Sequence, residues 1–256
     1  MRQFTIIPFL FFSLKIFACD CAERSLLQKI QNSDFIGIVK ILKISPDKVN
    51  HDYHNIQIEL KSIYKGPQIA SLKILSVLNS SCAFYTPENS TWLIFATYGK
   101  NKILSFDRCS GSLEIDRKIV SRKYPNAESN YNKMISMKIE VLEFLKMKNI
   151  QSTNPYNLEI SYCQNWWTAF KGYNIQNKFA VYEVLINRDL SINKIVPLQE
   201  FDNYKLAIKM LNCIKNNLVF YNKHSTILPD QSKLILVYYF YPAENKYPSF
   251  ISQYDL

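Results

Sequence analysis

Cys19-Asp20-Cys21 constrains the fold of this chain more than any other stretch. Two cysteines one residue apart would close a small, strained ring if they paired with each other. Each therefore looks further along the chain, where Cys82 and Cys109 are available. If both pairs form, the stretch is stapled at two points onto a folded domain, and the residues around it are held rigidly.

What precedes the cysteines sets their redox context. Residues 1–18 read as a secretory signal: Arg2 is the positive start, Phe4 to Phe17 is an apolar run broken by short polar residues, and Ala18 is small. The run is too short for a bilayer span of about 20 residues. Three outcomes stay open at the junction, one of them an uncleaved leader or a shifted cleavage site. Cleavage after Ala18 leaves Cys19 as a free N-terminus. Alternatively Ile16-Phe17-Ala18-Cys19, a loose lipobox, leaves Cys19 lipidated. In each case the chain is expected to be secreted, periplasmic or attached to the outer membrane, where six cysteines fit an oxidising compartment. At 256 residues and 48% hydrophobic it can bury the core of two modest domains, which excludes a disordered chain. The net charge of +10 comes from dispersed lysines without a basic block, so an ordinary Lys-rich surface is expected and no nucleic-acid partner.

Ala22 to Asn32 is expected to be a helix with Leu26, Leu27 and Ile30 as its apolar stripe. Five short strands follow: Phe35–Ile44, Asn55–Tyr64, Leu72–Leu78, Trp92–Tyr98 and Lys102–Asp107. The first alternates Phe35, Gly37, Val39 and Ile41 against Ile36, Ile38, Lys40 and Leu42. Both of its faces start apolar, as suits a barrel strand lying near a helix. The pattern predicts an all-β, OB-like five-stranded barrel with flanking helices.

In order along the chain stand Cys19-x-Cys21, a helix, Asp34-Phe35-Ile36-Gly37-Ile38-Val39, Tyr64-Lys65-Gly66, Ser81-Cys82, Trp92-Leu93-Ile94 and Cys109-Ser110. Over about residues 19–120 this resembles the netrin-like domain of tissue inhibitors of metalloproteinases and their bacterial relatives. The resemblance implies the pairs Cys19–Cys82 and Cys21–Cys109. It also implies a mode of action. A free Cys19 would present its α-amino nitrogen and carbonyl oxygen as a bidentate chelate for the catalytic zinc of another protein, displacing the activating water. The next residue in that family enters the protease specificity pocket; here it is Asp20, a charge that an apolar pocket rejects. Acylation of Cys19 would abolish chelation.

Tyr124 to Asn149 carries Met134, Met137 or Lys138, Val141, Leu142 and Leu145 at helical spacing. Such a helix packs on the barrel or connects two domains. Gln151 to Asn157 is the best linker. The domain reading is thus 1–18 leader, 19–123 barrel, 124–150 helix or connector, and 151–256 C-terminal domain. In the last, Leu158–Cys163, Phe179–Asn187, Ile192–Leu198 and Lys233–Tyr241 read as strands, Leu218–Tyr221 as a short extended piece, and Asn203–Asn216 as a helix with Leu206, Met210 and Ile214 inward. That order predicts an α+β antiparallel sheet with one helix on a face. Val181 to Ile192 resembles the hairpin of TonB C-terminal domains, over about residues 160–242. Leu190 stands where that pattern usually has Gly, and Asn217-Leu218-Val219-Phe220 replaces its tryptophan-proline segment. Cys163 and Cys213 either pair within this part or remain buried thiols.

Few residues suggest catalysis. His51 and His54 share a loop that lacks further ligands, and His224 stands apart, so no intrinsic metal and no cofactor are expected. No GxSxG, HExxH, Walker or GxGxxG pattern occurs. Trp166-Trp167 reads either as a sugar or peptide platform or, more commonly for such pairs, as core. The expectation is a non-enzymatic, protein-binding module of the bacterial cell envelope or secreted fraction, touching a membrane only if Cys19 is lipidated. The alternative is a metalloendopeptidase inhibitor acting through Cys19 and Asp20.

Overall fold

The computed structural model describes residues 19–99, 101–161, 163, 166–223 and 227–255, with the side chains of residues 167 and 168 excepted. The leader expected over residues 1–18 lies outside them. The first helix, α1, spans Leu26–Asn32. It begins four residues later than the apolar pattern suggests because Ser25 is its N-cap. The Ser25 hydroxyl accepts from Gln28 N, and Gln28 Oε1 accepts from Ser25 N at 2.9 Å, a reciprocal capping box.

Strands β1 (Phe35–Pro46), β2 (Tyr53–Lys65), β3 (Ser71–Leu75), β4 (Thr91–Tyr98) and β5 (Leu104–Phe106) close into a barrel. The order is β1-β2-β3-β5-β4, and β4 returns to pair with β1. The β3–β5 pair is parallel and the other barrel pairs antiparallel. This is the OB-like connectivity, and closure removes the sheet edges. β3 stops at Leu75 because the next two amides, Ser76 N and Val77 N, turn to the Asp52 carbonyl at 2.7 and 3.1 Å. A two-residue β6 (Leu113–Glu114) pairs with the start of β4.

The two faces of β1 divide as their alternation suggests. Phe35, Val39 and Ile41 fill the barrel with Ile56, Ile74, Trp92, Ile94 and Phe106. Ile36, with Leu93 and Phe95 of β4, faces outward and is still buried. What covers it is α1 and the long helix α2 (Ala127–Met147), through Val141, Leu142 and Leu145.

The second half adds β7 (Glu159–Ile160), α3 (Trp166–Ala169), β8 (Phe179–Ile186), β9 (Ile192–Gln199), α4 (Tyr204–Asn217), β10 (Phe220–Tyr221), β11 (Ser232–Tyr241) and β12 (Phe250–Ser252). Its antiparallel sheet has the order β12-β11-β8-β9, while β7 and β10 form a separate two-stranded ribbon. Alternation along β8 and β11 supplies two cores. Tyr182, Val184, Ile186, Leu234, Leu236 and Tyr238 pack with Trp166, Phe170 and the inner side of α4. Phe179, Val181, Ile235, Val237 and Tyr239 pack against α1 and α2. One apolar layer therefore joins the outside of the barrel to the back of the C-terminal sheet. The β8–β9 turn forms without glycine: Leu190 adopts φ 69°, and Asn187 N donates to Ser191 O at 2.9 Å.

Candidate functional site

Three disulfides join Cys19 to Cys82, Cys21 to Cys109, and Cys163 to Cys213, with Cα–Cα distances of 4.9, 5.1 and 5.8 Å. The first two fix the segment ahead of α1. Each lands on a turn built by a neighbouring side chain. Cys82 N donates to Ser80 Oγ at 3.1 Å, and Cys109 N donates to Asp107 Oδ1 at 2.9 Å. The sulfurs of Cys19, Cys21 and Cys109 lie within 4.8 Å of one another. Between the two half-buried cysteines, Asp20 is exposed.

The strap runs into α1, whose first turn is held from the far end of the chain. Asp255 Oδ1 accepts from Leu26 N at 2.7 Å, and Asp255 Oδ2 lies 2.6 Å from Lys138 Nζ of α2 and 3.8 Å from Lys29 Nζ of α1. Lys138 also donates to the Asp255 carbonyl at 2.9 Å. Burial lowers the pKa of Lys29, opposed by the Asp255 charge. Sequence reasoning missed this junction. Its one signal was Lys138 falling on the apolar stripe of α2.

A second feature lies where α1 meets the C-terminal sheet. The edge of β11 away from β8 is covered unevenly: β12 pairs only with Tyr239–Tyr241, and Ile235 N donates to Thr153 O at 2.9 Å. Between these contacts the edge at 235–238 faces a groove of about 510 Å³. Its walls are rich in amides: Gln28, Gln31, Asn32, Asn154, Asn157 and Gln253. The Gln31 side chain already organises the wall: its Oε1 accepts from Ser152 Oγ, Thr153 N and Asn154 N at 3.1–3.3 Å.

The remaining candidates separate. His54 is buried, with Nδ1 2.8 Å from Ser76 Oγ, whereas His51 is exposed, so the loop does not bring the two rings to one site. His224 lies outside the described residues. Trp166 is a core residue: it stacks on Tyr238 at 5.3 Å and its Nε1 donates to Ile251 O at 2.8 Å. The Trp167 side chain lies outside the described residues. None of the described helices is long and apolar enough to cross a membrane. The disulfides suit an oxidising, extracellular or periplasmic environment.

These features define a class: a disulfide-stapled, OB-like barrel sharing one apolar layer with an antiparallel α+β sheet. No family model matches the chain, and no curated protein matches its sequence.

Proposed function

We propose that this protein is an exported, non-catalytic protein-binding module that takes up an extended segment of a partner along the open edge of β11. The observation that carries the reading is the groove at 235–238. It combines a strand edge, which supplies main-chain donors and acceptors, with the side-chain amides of Asn32, Asn157 and Gln253, which can bond to a neighbouring backbone of any sequence. The span between the Ile235 and Tyr239 contacts admits about three to four extended residues at roughly 3.3 Å each. Panning a displayed heptapeptide library on the chain from Cys19 onward tests this. Enriched peptides should lose at least tenfold in affinity when Gln253→Trp fills the groove. Failure to enrich any peptide, or peptides indifferent to Gln253→Trp, overturns the reading.

A second reading rests on the strap. Two disulfides hold Cys19 and Cys21 against the barrel with Asp20 exposed between them, which lowers the entropic cost of presenting Cys19 to a partner's zinc. It resembles the netrin-like inhibitors in this respect and would act on a metalloendopeptidase tolerant of an acidic side chain. The mass of the mature N-terminal peptide decides whether Cys19 is free, acylated or internal. With Cys19 free, an added N-terminal Ala should abolish inhibition across a protease panel. An acylated Cys19, or inhibition unaffected by the Ala, removes this reading.

A further inference from the structure

We propose that the outward side of α4 docks the protein onto an anionic lipid surface, independently of any lipid on Cys19. The helix spends Leu206, Ala207, Met210, Cys213 and Ile214 on the core, and the Cys163–Cys213 disulfide fixes which side faces out. Yet the opposite side, which carries Asn212 and Asn216, is not wholly polar. Tyr204 and Ile208 are 79% and 40% exposed. At 3.6 residues per turn, Tyr204, Ile208 and Lys215 fall within about 40° of one another, a strip running along a helix roughly 21 Å long, while Leu211 packs back against the core. Lys205 and Lys209 lie along one side of it.

The charge of this face selects the partner. Tyr204–Asn217 contains three lysines and no acidic residue, whereas α2 mixes Glu128, Glu140 and Glu143 with its lysines. Off the helix, Lys209 Nζ stands 5.7 Å from the ring centre of Phe170, itself buried, and 6.0 Å from that of the half-buried Tyr173. Aromatic and aliphatic side chains interleaved with lysines, on a convex helix rather than in a groove, suit a flat interface with anionic headgroups. Lysine stems lie along the apolar zone while their ammonium groups meet phosphate, and Tyr204 spans the boundary. Each lysine near such a surface contributes roughly fivefold to partitioning, and the contribution weakens with salt.

The test is co-sedimentation of the full chain, expressed without its leader so that Cys19 carries no acyl group, with phosphatidylglycerol/phosphatidylcholine vesicles and with phosphatidylcholine alone. Binding is expected to the anionic vesicles, falling with salt. K205E/K209E/K215E should weaken it roughly a hundredfold. Tyr204→Ser with Ile208→Ser should weaken it several-fold. All these side chains are at or near the surface, so unchanged circular dichroism and thermal unfolding verify that the variants fold; Lys→Gln at the same three positions provides a milder series if the charge reversals do not. No vesicle binding, equal binding to both vesicle types, or binding indifferent to the variants overturns the proposal. Binding to soluble polyglutamate as tight as to vesicles also overturns it, because the face would then serve an acidic protein.

Discussion

At the scale of single residues, two features depart from what a packed interior normally tolerates. The hydroxyls of Tyr182, Tyr238 and Tyr239 are buried and meet no hydrogen-bond partner among the described residues. A buried hydroxyl that loses water without gaining a partner costs about 1–3 kcal/mol, whereas the ring still contributes its full apolar area. Tyr238→Phe keeps the stack on Trp166 and removes the stranded oxygen. It should raise stability by about 1 kcal/mol in urea unfolding, and a loss of that size would show that the hydroxyl is satisfied in solution. Gly66 presents the opposite case. It ends β2 at φ 89°, and a Cβ there would overlap the Asp34 carbonyl oxygen. Asp34 cannot retreat, because its N–H donates to Ala96 O at 2.9 Å and its Oδ2 accepts from Tyr98 N at 2.7 Å. Gly66→Ala should therefore cost roughly 2–4 kcal/mol, read as a lower urea midpoint with an unchanged slope. A cost under about 1 kcal/mol would mean that the β1–β2 closure yields easily.

Among elements, α1 and α2 are locked by a buried charge cluster rather than by apolar contact alone. Lys138 and Asp255 have side chains 4% and 5% exposed. Removing one member strands the other, so Lys138→Met is expected to cost about 3–5 kcal/mol. Lys138→Met combined with Asp255→Asn should recover part of this. The Asn amide oxygen can still accept from Leu26 N, and no buried anion remains opposite the methionine. A coupling below about 0.5 kcal/mol in the double-mutant cycle would show that the pair is not energetically linked. The same junction marks the limit of what periodicity reveals. The barrel was legible because each of its strands alternates locally, down to the double apolar face of β1. The helices α2 and α4 were legible from their stripes. β6, α3 and β12 were not, since two to four residues carry no period, and each exists only because a longer strand or a core residue is already in place. Asp255 and Lys138 were illegible as partners for the same reason. They are 117 residues apart, and nothing local pairs them. The groove on β11 depends likewise on where β12 ends, which no run of residues in β11 states.

For the molecule as a whole, the cores on both faces of the C-terminal sheet hold tyrosines where water does not reach, and this sets its response to alkali. Burial raises the pKa of Tyr64, helped by Glu143, to about 12. Burial raises those of Tyr182, Tyr238 and Tyr239 further, with secondary contributions from Glu200, Tyr182 and Asp255 respectively. In the unfolded chain a tyrosine ionises near pH 10. Above that pH the folded state holds protons that the unfolded state has released, so stability falls as pH rises. The loss at Tyr64 continues to about pH 12, and for the others it extends beyond. Each fully buried tyrosine contributes a slope of up to about 1.4 kcal/mol per pH unit, so Tyr182, Tyr238 and Tyr239 together give about 4. Lys29 and Lys65 act with the opposite sign. Burial lowers their pKa, so the folded state gives up those protons first, and stability gains slightly as pH rises through their folded values toward about 10.5. The expected profile is flat or gently rising up to about pH 10, then steeply falling within about one unit. Urea midpoints across that range, taken quickly enough to precede alkaline disulfide exchange, measure it. Tyr182→Phe with Tyr238→Phe should move the alkaline transition upward and roughly halve its slope, because two of the strongest proton sinks are gone. A profile that stays flat through about pH 11 would mean that the buried phenols reach solvent before the fold opens.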